Sequence, residues 1–141
     1  MLDLLSISCD FGEGWVSPNE IDRRGLANAI RLGISRALNS LGVLKTDKII
    51  LDGPVNYLPQ DFKNFECLID ADALVPLVSA ASIYAKVKRD RFMVELAKKH
   101  VGYGFETHVG YFTLQHKLAL KKLGPLKSIH RMSFQPLKAT L

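Results

Sequence analysis

Residues 76–99 contain no glycine, and their one proline, Pro76, stands first; the next glycine is Gly102. So long a run without a breaker predicts one helix over residues 76–99. Pro76 suits its first turn, where the missing N–H costs nothing. Ala80, Ile83, Val87, Val94 and Ala97 recur at steps of three, four, seven and three, which predicts a buried apolar stripe. Asp90 fills the gap in that stripe, three residues after Val87 and four before Val94. A carboxylate on a face expected to be buried is costly unless it pairs with a cation or binds a metal. Spacing alone favours a pair with Arg or Lys over a metal.

At 141 residues the chain has room for a single domain, expected to span residues 1–141. With 48% hydrophobic and 23% charged residues it can bury a core, which excludes a disordered chain. The net charge of +5 suits a polyanionic partner, although many basic proteins bind no nucleic acid. Cys9 and Cys67 lie in apolar, strand-like runs without zinc-ligand spacing, which predicts buried free thiols in a reducing compartment, the cytoplasm. The N-terminus is too short and too acidic for a secretory signal. No apolar run reaches about 18 residues, so no membrane partner is expected.

Taken in order, Leu2–Ser8 reads as a strand and Asp10–Gly14 as a turn, with Asp10 and Glu13 on its surface. Ser17-Pro18-Asn19-Glu20 has the form of a helix start: Ser as N-cap, Pro in the first position, Glu three residues after the cap. That helix ends near Gly25, and a second runs from Leu26 to Leu41, closed by Gly42. Lys48–Asp52 reads as a buried strand broken by Gly53-Pro54. Asp52 therefore stands at the carboxyl end of a strand, where α/β sheets gather ligands, or simply opens a turn. Phe65–Ile69 is a second strand. Asp72 either biases the start of the next helix through its dipole or belongs to a site motif. Residues 100–111 interleave glycines, aromatics and two histidines, which predicts a loop able to present a sugar or base platform. Thr113 caps a further helix over 114–123; Lys117, Lys121 and Lys122 form its solvated face. No repeat, low-complexity segment or linker divides the chain.

The stretch Ser79-Ala-Ala-Ser-Ile-Tyr-Ala-Lys-Val-Lys-Arg-Asp90 closely resembles the central motif of type 2 ribonucleases H, the ribonuclease HII family. Ser17-Pro-Asn-Glu-Ile-Asp22, Leu51-Asp52-Gly53, the Gly102-Tyr-Gly-Phe…His108-Val-Gly-Tyr111 loop and His130-Arg-Met-Ser-Phe134 resemble further family elements, in family order. Together they run from about Ser17 to Phe134. The family's first catalytic motif, Asp-Glu-x-Gly-Arg-Gly, does not occur in the sequence.

The resemblance implies an α/β fold of the ribonuclease H-like type, a mixed sheet flanked by helices. Anchored on Ile21-Asp22, Leu2–Ser8 matches the family's third strand, so two strands are expected to be missing ahead of Met1. A complementing segment or chain would have to supply them. The implied activity is endonucleolytic, on the RNA strand of RNA/DNA hybrids and on DNA with embedded ribonucleotides. The implied mechanism is two-metal phosphodiester hydrolysis with Mg²⁺ or Mn²⁺. Asp52 and Asp90 match two of the family's four catalytic, metal-binding carboxylates; Asp10 and Glu13 do not match the other two. Tyr111 matches the tyrosine that reads the 2′-hydroxyl, with core packing as its other reading. Lys86, Arg89 and Arg131 are candidate phosphate contacts. With two carboxylates of four, the chain by itself is expected to be impaired. The alternative is a catalytically inactive fragment that at most binds nucleic acid through its basic surface.

Overall fold

A computed structural model describes residues 9–138. Its elements make an α/β chain, with two strands between helices. Helix α1 (Pro18–Arg24) and helix α2 (Leu26–Leu41) precede strand β1 (Ile49–Asp52) and strand β2 (Phe65–Leu68). The short helix α3 (Ala71–Leu74), the long helix α4 (Pro76–Lys99), α5 (Phe105–His108), α6 (Leu114–Leu123) and α7 (Gln135–Lys138) complete it. The strand expected over Leu2–Ser8 lies outside the described residues, so the mixed character of the sheet does too.

Contacts group the described residues into two compact units: residues 9–16 with Ala27–Ala81, and Ser17–Leu26 with residues 82–138. In the first, β1 and β2 pair in parallel, Ile49 opposite Phe65 and Asp52 opposite Leu68. Parallel neighbours need a long crossover. Here residues 53–64 provide it without a helix, anchored by buried Leu58, whose N–H is held by Asn56 Oδ1 at 2.8 Å. The N-terminal arm lies against α2: a Cβ on Gly14 would fall on the Gly33 carbonyl oxygen, and the Arg36 guanidinium donates to the Trp15 carbonyl. Glu13 accepts the Trp15 indole N–H at 2.8 Å.

The second unit buries Tyr103, Phe105, Ala119, Leu120 and Leu137, with Met93, Leu96 and Ala97 of α4 packed against them. Tyr103 and Phe105 stack with centroids 5.3 Å apart, and the Tyr103 hydroxyl donates to the Gly124 carbonyl at 2.8 Å. Asp22, which ends the Ser17–Asp22 motif, accepts from Met132 N–H (2.7 Å), Ser133 N–H (3.0 Å) and Ser133 O–H (2.6 Å), tying α1 to the C-terminal segment. Desolvation would raise its carboxyl; the hydrogen bonds from Ser133 and Met132 outweigh that and hold it below the ordinary value of 3.8.

Two expectations are corrected. The apolar stripe of α4 is not a uniformly buried face: Ile83 is 60% exposed, and Val87 and Val94 are exposed as well. Burial follows contact rather than pattern, and only the C-terminal third of α4 meets the core. The loop over 100–111 also contains helix α5 and turns most of its aromatics inward. Gly102 and Gly104 adopt left-handed φ values of 95° and 75°, which swing Tyr103 and Phe105 into the core. Tyr111 alone of that group stays outside, 57% exposed, so its core-packing reading falls away.

Candidate active site

Helix α4 forms because nothing interrupts it: Val75 is extended (φ −120°, ψ 111°), as a residue before proline prefers, and its carbonyl accepts from Val78 and Ser79. One consequence is fixed placement of Arg89 and Asp90 in the second unit. The turn after α5 comes back to them. Val109 is left-handed (φ 40°, ψ 39°), costly for a β-branched residue, and Gly110 follows at φ 84°. Arg89 Nη2 donates to the Val109 carbonyl at 2.6 Å, and its guanidinium lies 4.8 Å from the centroid of the Tyr111 ring. Arg89 Nη1 is 3.9 Å from Asp90 Oδ1, a loose ion pair. Thus Arg89, Asp90 and Tyr111 converge.

Asp90 Oδ1 is enclosed and accepts no hydrogen bond among the described residues. An orphaned carboxylate oxygen is expensive unless a cation takes it up. Val87, Asp90, Arg91, Val94 and Glu95 line an open depression beside it. Lys86 is exposed on the same helix. Arg131 lies in this unit too, its guanidinium 4.7 Å from the Phe134 ring centroid.

Asp52 belongs to the first unit. It ends β1 exposed, and its Oδ1 accepts the Ala71 N–H at 3.0 Å. Asp70, the N-cap of α3, makes no side-chain cap bond, so Asp52 supplies the carboxylate at that helix start. No group of three or more His, Cys, Asp or Glu side chains gathers as a metal cage among the described residues. The donors that do fit a hard divalent cation are carboxylate oxygens, above all Asp90 Oδ1.

Behind Tyr111 lies a cluster that sequence reasoning missed. His108, His116 and His130 are buried, the first two stacked 4.2 Å apart. Leu126 N–H donates to His130 Nδ1 at 2.9 Å, so the proton of a neutral His130 sits on Nε2. His130 Nε2 then donates to His116 Nε2 at 3.1 Å, and His116 Nδ1 donates to the Tyr111 carbonyl at 3.0 Å. Gly110 N–H donates to His108 Nδ1, so His108 Nε2 donates to the Tyr103 carbonyl. Burial, helped by the charge of neighbouring His116, pushes His130 down to about 4; burial lowers His116 also. The available signal was His108 in the loop, His116 in α6 and His130 in the tail, but their meeting depends on the fold.

The chain was compared with known proteins. The family model described as Ribonuclease HII matches residues 7–137. A protein named Ribonuclease HII from Burkholderia vietnamiensis is 44% identical over 125 residues, 89% of this chain and 56% of that protein. Its namesake from Burkholderia ambifaria is 45% identical over the same shares. That from Burkholderia mallei strain SAVP1 is 40% identical over 136 residues, 96% of this chain and 62% of the relative. The chain therefore spans little more than half the length of the relatives it matches.

Proposed function

The chain belongs to the ribonuclease HII family, and from that premise we propose an endonuclease that cleaves the RNA strand of RNA/DNA hybrids and DNA at embedded ribonucleotides. The family match over residues 7–137 carries the reading. The site chemistry supports it through one feature, the enclosed Asp90 oxygen that accepts no hydrogen bond among the described residues. Asp90 and Asp52 are the proposed catalytic carboxylates and would hold Mg²⁺ or Mn²⁺. When bound, such a cation supplies charge neutralisation at the phosphate and an activated water. The Tyr111 ring, which is exposed, would lie against a ribose and read its 2′-hydroxyl. Lys86, Arg89 and Arg131 supply positive charge for the phosphate backbone, in keeping with the net charge of +5.

The proposal treats the chain as a single partial catalytic domain. Two carboxylates cannot order two hexacoordinate cations, so the others are assigned to a complementing segment outside these 141 residues. The test is cleavage of a duplex with one embedded ribonucleotide, in Mg²⁺ or Mn²⁺, on the 5′ side of the ribonucleotide. Cleavage lost in both Asp52→Asn and Asp90→Asn supports the assignment; cleavage that survives both substitutions refutes it. A second reading, an inactive nucleic-acid-binding fragment, is favoured by the lack of a three-ligand cage among the described residues. Salt-sensitive binding of hybrid, with no cleavage even when a family N-terminal segment is added, would select it.

A further inference from the structure

Arg89 is a candidate phosphate contact, yet its guanidinium is already engaged within the protein. One edge donates to the Val109 carbonyl at 2.6 Å, and the group lies 4.8 Å from the Tyr111 ring centroid. The other terminal nitrogen, Nη1, stands 3.9 Å from Asp90 Oδ1. Space around it is tight: a Cβ on Gly110 would come within 3.2 Å of Met93 Cε and 3.5 Å of Arg89 Nη2. Tyr111 itself is held from behind, because its carbonyl accepts from His116 and from Thr113 N–H, and its own N–H donates to the His108 carbonyl at 2.8 Å. The backbone of Tyr111 is thus fixed by the core, whereas its exposed ring has Arg89 as the cation at its face.

We infer that Arg89 is a positioning residue: it clamps the Tyr111 ring at a set place beside the Asp90 carboxylate, and so determines discrimination between ribose and deoxyribose. The inference rests on the ribonuclease reading and deepens it, since it names what aims the proposed sugar-reading ring. Three properties of arginine are used together. The guanidinium is planar, so it can lie by a ring while its edge donates in plane to Val109 O. It stays charged at all working pH. Its fork reaches toward two acceptors at once, Val109 O and the Asp90 carboxylate. Lysine has one point charge and can satisfy only one of these demands. Val109 needs the bond as well, because a left-handed β-branched residue persists only where its surroundings hold it. Losing Arg89 therefore frees both the ring and the turn that carries it.

A direct phosphate contact makes the opposite forecast. Losing one phosphate cation weakens binding to every duplex alike and reduces the salt slope by about one; Lys in place of Arg largely restores it. A clamp acts on ribose preference and leaves the salt slope unchanged.

The experiment uses the full-length protein with Arg89→Gln, Arg89→Lys, Tyr111→Phe and the Arg89→Gln/Tyr111→Phe double variant. Binding to an RNA/DNA hybrid and to an all-DNA duplex of the same sequence is measured in Ca²⁺ across a range of salt. The expected result is a loss of hybrid preference of about tenfold in Arg89→Gln. Arg89→Lys should not rescue it, the salt slope should be that of the parent, and the double variant should lose no more than the worse single. Equal weakening on both duplexes with a shallower salt slope, rescued by lysine, overturns the clamp and leaves a phosphate contact. Hybrid preference that survives Arg89→Gln overturns the clamp alone. A parent protein that binds both duplexes equally sinks the ribonuclease reading, and the clamp with it.

Discussion

Lowering the pH from 7 to 5 should remove about 2 kcal/mol of stability from this chain through His130 alone. In the folded state burial and neighbouring His116 hold its pKa near 4, against 6.5 for an exposed imidazole. Geometry gives the reason: Nδ1 already accepts from Leu126 N–H, and a second ring proton would set two donors against each other. Between pH 6.5 and 4 the unfolded chain therefore binds more protons than the folded one. The contribution is fully present above about pH 6.5 and is lost as the pH falls through about 4, some 3 kcal/mol in all. At pH 5 the unfolded imidazole is nearly all protonated and the folded one about a tenth, which gives the figure of about 2 kcal/mol. His116, lowered by burial, acts in the same direction. Asp22 does not confuse the window, because its carboxyl titrates below 3.8. Urea unfolding followed by circular dichroism at pH 7, 6 and 5 measures the effect, with a constant m-value as the check on two-state behaviour. In His130→Gln the amide can still donate to His116 and accept from Leu126 without titrating, so the slope with pH should shrink. Stability that is flat from pH 7 to 5, or that rises on acidification, refutes the reasoning.

Asp22→Ala removes three hydrogen bonds to one carboxylate, and should cost about 2 kcal/mol in the same urea assay. Gly14→Ala places a methyl group on the Gly33 carbonyl, and should cost about 2 kcal/mol or more by forcing the arm from α2. Asp90→Asn removes the charge from an enclosed oxygen that accepts no hydrogen bond among the described residues, so without divalent metal its melting temperature should equal or exceed the parent's. Added Mg²⁺ or Mn²⁺ should raise the melting temperature of the parent and leave Asp90→Asn unmoved; equal shifts in both would remove Asp90 from the metal site.

Local rules were legible in the sequence where a few neighbouring residues decide the outcome. Ser17 and Glu20 form the reciprocal cap that their spacing predicts, with Glu20 Oε2 2.9 Å from Ser17 N and Ser17 Oγ accepting Glu20 N–H. Pro76 starts α4, and Thr113 caps α6 through the His116 N–H. Asp90 stood out as a carboxylate in an apolar stripe, and Asp52 as one at the carboxyl end of a strand. Legibility ended where distant residues decide. Ile83 has the right spacing for a core position and is exposed, because periodicity names a face but not what covers it. Nothing near Asp22 announces Ser133, and nothing near His116 announces His130. Tyr103 and Tyr111 look alike in the sequence, yet one is core and the other surface, divided by two left-handed glycines and the turn at Val109.

The bond from Asp22 to Ser133 spans 111 residues, and it sets an order on synthesis. Residues 9–16 and 27–81 share one set of contacts and leave the ribosome well before residue 132. Helix α1, made between them, has its partners in a segment not yet translated. At ordinary elongation rates that wait is on the order of 10 s. Closing so long a loop then costs about 4 kcal/mol in chain entropy, which the C-terminal contacts must exceed together. A ribosome halted before Met132 would therefore carry the whole first unit beside a helix α1 whose Asp22 still lacks the donors of Met132 and Ser133.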